Sequence, residues 1–95
     1  IVILNNHGGG IFRILDGSSK LPELDSYFET KNNVTAENML KDYNCDYFKC
    51  SSLEEVKNVL SDFYTLNGKF KVLEVQLDSK SNTSLFNEFK RLLKK

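Results

Sequence analysis

The stretch Asn5-Asn6-His7-Gly8-Gly9-Gly10-Ile11-Phe12 concentrates the groups in this chain that could do chemistry. Asparagine side-chain oxygens and bared backbone carbonyls are hard, neutral ligands, suited to Mg²⁺ that also carries phosphate oxygens. Glycines let the backbone approach a phosphate closely, and a helical turn that follows offers free N–H groups. The run matches neither G-x-G-x-x-G nor the P-loop, whose Lys-Ser/Thr pair is missing. On residue chemistry alone, a glycine-rich turn with an Asn cap is an equal reading. His7 is the single histidine and titrates near pH 6.5 when unperturbed, so it could serve as a base, though loop exposure explains it more simply. Arg13 could meet a carboxylate, with an exposed arginine as the plainer reading. Cys45 and Cys50, five apart on a presumed strand, point to opposite faces and cannot pair, and no His–Cys array suggests zinc.

These groups need a frame, and the pattern of the chain supplies one. Ile1-Val2-Ile3-Leu4 reads as a strand buried on both faces, the habit of a parallel sheet. The glycine loop then falls just past a strand's C-terminal end, where open α/β sheets bind ligands. Ile11 to Leu15 is read as a short helical turn, and residues 16–34 as polar loop around Gly17 and Pro22. A helix is expected from Thr35, as N-cap, to Tyr43, with Ala36, Met39, Leu40 and Tyr43 on one stripe and Asn44 as its left-handed end. Cys45 to Cys50 is a strand candidate. Ser52 and Glu55 form a capping box opening a helix with Leu53, Val56, Leu60 and Phe63 on one side, closed by Asn67-Gly68. Phe70 to Leu77 is the next strand. A last helix, roughly Thr83 to Leu93, carries Leu85, Phe86, Phe89, Leu92 and Leu93, with Lys90, Arg91, Lys94 and Lys95 suiting its C-terminal dipole.

Alternating strands and helices predict an α/β, three-layer parallel-sheet architecture, with the first strand beside that at 70–77. The 95 residues make at most one domain. Thirteen basic against thirteen acidic residues argue against a nucleic-acid binder. No apolar run approaches the roughly 20 residues that span a bilayer. Two cysteines are too few for a disulfide scaffold, and free thiols suit a cytoplasmic setting. An apolar central strand at the very start suggests a piece of a longer chain, self-associating through its uncovered edge and face.

The strand ending in Asn5-Asn6 resembles the closing half of the thiamine diphosphate motif, which begins Gly-Asp-Gly some 25 to 30 residues earlier. Within that superfamily, NN-x-GGG-IF is most similar to the 2-succinyl-5-enolpyruvyl-6-hydroxy-3-cyclohexene-1-carboxylate synthase family of the menaquinone pathway. Leu15 fits the family's IF-x-x-L, Tyr27-Phe28-Glu29-Thr30 its F-E-T segment, and Leu73-Glu74-Val75 its late I-E-V strand. The resemblance covers nearly the whole chain, with residues 4–15 the specific part. Two departures stand out: His7 replaces a more usual Asn, and Thr30-Lys31-Asn32 stands where Thr-Pro-His is common.

That resemblance implies that residues 1–95 are the C-terminal portion of a diphosphate-binding domain. The cofactors would be thiamine diphosphate with Mg²⁺ (or Mn²⁺). The intact enzyme, a homo-oligomer without membrane span or nucleic acid, would decarboxylate 2-oxoglutarate and add the resulting carbanion to isochorismate. By motif position Asn6 and Gly8 would ligate the metal. Asn5, Asn6, Gly8, Gly9, Gly10 and Ile11 would line the cofactor, with Asn5 chiefly supporting the turn. Ile11, Phe12 and Leu15 would be the catalytic wall facing the reacting end, core packing being their plainer role. The fragment alone would be inactive. Another thiamine diphosphate decarboxylase or carboligase, or a non-catalytic anion-binding or assembly module, remain the alternatives.

Overall fold

The computed structural model describes residues 1–94; Lys95, assigned above to the end of the last helix, lies outside the described residues. The chain divides into two compact units. One comprises Ile1–Asn5 and Val34–Leu77, the other Asn6–Asn33 and the segment from Asp78 onward.

The first unit is the sheet. Strands β1 (Val2–Asn5), β2 (Asp46–Cys50) and β3 (Lys71–Gln76) are all parallel, in the order β1-β3-β2. Val2 pairs with Leu73 and Phe48 with Leu73, so β3 is central and its Val72 and Leu73 are buried with Cys50. Burying a Val or Leu side chain stabilises by about 1.5–3 kcal/mol. Helices α1 (Glu37–Asp42) and α2 (Leu53–Tyr64) sit on opposite faces. Phe48 meets Phe63 of α2 edge-on, whereas its neighbour Tyr47 points the other way, into a hydrogen-bonded cluster that includes the Ala36 N–H at the start of α1. Right-handed crossovers demand this, because the chain steps two places across the sheet and then one place back. The α/β, parallel, three-layer expectation is therefore met, including the placing of β1 beside β3.

Several local expectations need correction. β1 is an edge strand, not one buried on both faces: Val2 and Leu4 are exposed, because α2 packs only on β2 and β3. α1 is capped at Ala36 without a side-chain bond, not at Thr35. Asn44 does end it in the left-handed region, at φ 55°. Cys45 precedes β2, so the opposite-face argument for the cysteines does not apply; both are nevertheless free, Cys50 fully buried.

In the capping box, Ser52 Oγ accepts the Glu55 N–H at 3.2 Å as expected. The Glu55 carboxylate instead takes the Ser51 N–H, at 2.5 Å, and not that of Ser52. Leu53 is exposed, leaving Val56, Leu60 and Phe63 as the inward stripe.

In the second unit, the segment read as plain loop folds into tight helical turns at Ser18–Lys20 and Leu24–Phe28, after a 3₁₀ turn at Gly10–Arg13. Helix α3 (Ser79–Leu93) begins four residues before Thr83, because Asp78 rather than a later residue caps it, accepting the Ser81 N–H at 2.8 Å. Its apolar stripe Leu85, Phe86, Phe89, Leu92 and Leu93 is exposed.

Candidate functional site

β1 ends at Asn5, whose side chain is committed to the sheet unit. Its Nδ2 donates to the Val34 carbonyl at 2.9 Å and to Glu74 Oε2 at 2.7 Å. Glu74 is 0% exposed, and its carboxylate is held by four neutral donors. Oε1 accepts the Ala36 N–H (2.8 Å) and the Tyr47 hydroxyl (3.1 Å), and Oε2 accepts Asn5 and Gln76 Nε2 (2.9 Å). Burial pushes this carboxyl up, but the four donors outweigh it and hold it below its ordinary value. Burial, then the bond to Glu74, pushes the Tyr47 phenol up to about 12. Asn5 thus braces the strand end within the sheet unit.

From Asn6 the chain enters the loop. Asn6 Oδ1 accepts the Gly8 N–H at 3.3 Å, a local side-chain turn. His7, half-buried, has φ 59°, a region a non-glycine residue seldom enters, and its carbonyl accepts the Asn32 N–H at 2.8 Å.

The glycines are needed for closeness, not for unusual dihedrals. A Cβ on Gly8 would lie 2.7 Å from the Glu29 carbonyl oxygen, and one on Gly10 would lie 2.9 Å from Asn6 Nδ2. The Gly9 N–H donates to that same Glu29 carbonyl at 2.6 Å.

Sequence reasoning passed over the group beneath this loop. Glu29, 2% exposed, takes the Arg13 guanidinium and the Ser79 hydroxyl on its carboxylate. Arg13, largely buried, also pairs with the exposed Asp25. Burial pushes Glu29 up, but Ser79 and Arg13 outweigh it, so the carboxyl stays below its ordinary value; Glu29 in turn raises Arg13. Arg13 is therefore not the exposed arginine of the plainer sequence reading. The only available signal was an acidic residue in the Phe28-Glu29-Thr30 segment.

Asn6, Gly10, Ile11 and Ile14 line an open cavity of about 420 Å³ with Ser79, Asn82, Thr83 and Phe86 of α3. Ile11 and Leu15 are exposed, while Phe12 is half-buried against Phe28 with ring centroids 5.5 Å apart. Of the expected site residues, the structure thus gathers Asn6, Gly10 and Ile11 at the cavity, seats Gly8 and Gly9 on the Glu29 backbone, and turns Asn5 to the sheet. Among the described residues no three His, Cys, Asp or Glu side chains gather as a metal cluster. Asn6 Oδ1 and the Gly8 carbonyl are of the neutral-oxygen type, which such a cluster does not include.

An α/β unit whose parallel edge strand runs into a closely packed glycine loop defines a segment of an α/β protein. No family model matches the chain. Its sequence is 42% identical over 93 residues, 98% of the chain, to a 2-succinyl-5-enolpyruvyl-6-hydroxy-3-cyclohexene-1-carboxylate synthase of Cytophaga hutchinsonii. It is 44% identical over 94 residues to the synthase of that name from Christiangramia forsetii, and 33% identical over 89 residues to that of Porphyromonas gingivalis. The chain spans only 17%, 16% and 15% of those three proteins. The resemblance carried by residues 4–15 thus extends over nearly the whole chain, which is homologous to one segment of these synthases. No helix among the described residues is long and apolar enough to cross a membrane.

Proposed function

We propose that this chain is the part of a thiamine diphosphate-dependent 2-succinyl-5-enolpyruvyl-6-hydroxy-3-cyclohexene-1-carboxylate synthase that contributes the metal and diphosphate loop. The intact protein would decarboxylate 2-oxoglutarate and join the remaining fragment to isochorismate, in the cytoplasm, as a homo-oligomer. The observation that carries the reading is the loop itself. Asn6-x-Gly8-Gly9-Gly10-Ile11 follows a parallel strand, is packed against the Glu29 backbone too tightly for a side chain at Gly8, and sits in a chain 42% identical to such a synthase.

The residues fit a Mg²⁺–diphosphate. Asn6 Oδ1 and the Gly8 carbonyl are hard neutral donors, of the kind Mg²⁺ accepts beside phosphate oxygens. Glu29, whose carbonyl packs on the loop, has its carboxylate already engaged by Arg13 and Ser79. A charge-balancing carboxylate would come from the Gly-Asp-Gly half of the motif. Bound there, thiamine diphosphate supplies the carbon nucleophile and electron sink. This chain orients it through Asn6 and Gly8. Ile11 and Leu15, apolar and exposed in this segment, and Phe12 behind them limit the access of water and hence wasteful protonation.

The test is product formation from 2-oxoglutarate and isochorismate by the intact protein, with and without thiamine diphosphate and Mg²⁺. Phe12→Ala should lower kcat while leaving cofactor affinity near wild type. Activity without the cofactor, or none with it, overturns the assignment.

A further inference from the structure

Four separate interactions converge on Glu29. Its carbonyl takes the Gly9 N–H and blocks any side chain on Gly8. Its carboxylate takes the guanidinium of Arg13, the last residue of the turn carrying Ile11 and Phe12. It also takes the hydroxyl of Ser79, the first residue of α3 and part of the wall of the Asn6 cavity. One buried residue therefore ties the glycine backbone, the apolar turn and the helix start together. Nothing in the chemistry assigned to the loop requires this carboxylate as acid, base or ligand. A buried charge held this way costs desolvation that an apolar side chain would not incur. What the charge adds is a fixed direction, because a guanidinium and a hydroxyl bind a carboxylate only along its lone pairs.

We infer that Glu29 is the positioning residue of the loop: through Gly8, Gly9, Arg13 and Ser79 it sets the backbone that meets the diphosphate and its metal. The inference rests on the reading of this loop as the metal–diphosphate site. Glu29 touches neither group; it acts by keeping the loop in its binding conformation before the ligand arrives, so that ordering is not charged against affinity.

The experiment is calorimetric titration of Mg²⁺–thiamine diphosphate into the intact protein, for wild type, Glu29→Gln, Ser79→Ala, Asp25→Asn and Asn6→Ala. Folded content is checked by circular dichroism, and hydrogen exchange is followed over residues 6–13 without ligand. Glu29→Gln should weaken binding by about tenfold or more, as expected when a charge-assisted orienting contact is lost. Ser79→Ala should weaken it by roughly threefold or more, since it removes one of the same carboxylate's partners. Asp25→Asn, which alters only the exposed side of Arg13, should bind within about twofold of wild type. A scaffold-only role would slow no binding step in the folded protein, so folded Glu29→Gln with wild-type affinity overturns the inference. If Glu29→Gln does not fold, unchanged affinity in Ser79→Ala overturns it. Weak binding by Asn6→Ala alongside normal binding by Glu29→Gln would leave the loop as the site and remove only Glu29. Normal binding by both removes the site reading as well.

Discussion

Replacing Gly8 by Ala puts a methyl carbon 2.7 Å from the Glu29 carbonyl oxygen and 3.1 Å from Glu29 Cγ. Carbon–oxygen contacts in proteins are seldom shorter than about 3.3 Å, so the backbone must give by roughly half an ångström. The same oxygen accepts the Gly9 N–H at 2.6 Å, and that bond lies in the path of the movement. Losing it costs about 0.5–1.5 kcal/mol, and overpacking of this kind about 1–3 kcal/mol. Together these give a destabilisation of about 1.5–4.5 kcal/mol. Gly17 is the internal control. Its φ of −68° and ψ of −66° suit any residue, and a Cβ there meets nothing within 4 Å. Gly17→Ala should be neutral or stabilising by about 0.4–1 kcal/mol, through the unfolded chain. Denaturant midpoints at constant slope measure both, and amide exchange at Gly9 reports whether its bond has gone. If Gly8→Ala loses no more stability than Gly17→Ala, the close seating of the loop on Glu29 is refuted.

Glu74→Gln should cost about 2–4 kcal/mol, because its amide nitrogen must face two donors wherever it points. The Glu74 carboxyl sits lower in the fold than in the unfolded chain, so its stabilisation is present above the unfolded value near pH 4.3. It is lost as pH falls through the folded value. Unfolding followed from pH 7 to 3 should show that acid loss in wild type and a shallower one in Glu74→Gln; identical slopes would contradict it. Ser52→Ala should destabilise by about 1 kcal/mol through loss of the bond to the Glu55 N–H, read from thermal melts. Cys45 should react with iodoacetamide well before Cys50, whose thiol is fully buried and pushed up by that burial, then by Glu55; mass spectrometry of a time course decides.

The parts of the fold legible in the sequence were those set by local pattern. The parallel order followed from strand–helix alternation, the Ser52 cap from an S-x-x-E signal, and the Asn44 turn from its place after an amphipathic stretch. Other features depended on partners far along the chain. Val2 and Leu4 look like core residues, yet α2 reaches only β2 and β3, and apolarity alone cannot report which neighbour is in place. The start of α3 was missed because Ser79 to Asn82 is polar, and Asp78 caps it through geometry that hydrophobic periodicity does not register. In the site, the glycine loop announced itself by composition. Glu29 and Glu74 did not, since an isolated Glu reads as surface until donors 16 to 69 residues away close around it, as Arg13, Ser79 and Asn5 do here.

The central claim is that the loop after β1 holds the metal and the diphosphate through Asn6. Calorimetric titration of thiamine diphosphate into the intact protein at fixed Mg²⁺, wild type against Asn6→Ala, measures this most directly. The account predicts affinity lowered by about tenfold or more in the variant, as for loss of one oriented ligand to a metal or its phosphate, with a steeper requirement for Mg²⁺. Equal affinity and equal Mg²⁺ dependence in the two proteins would contradict it.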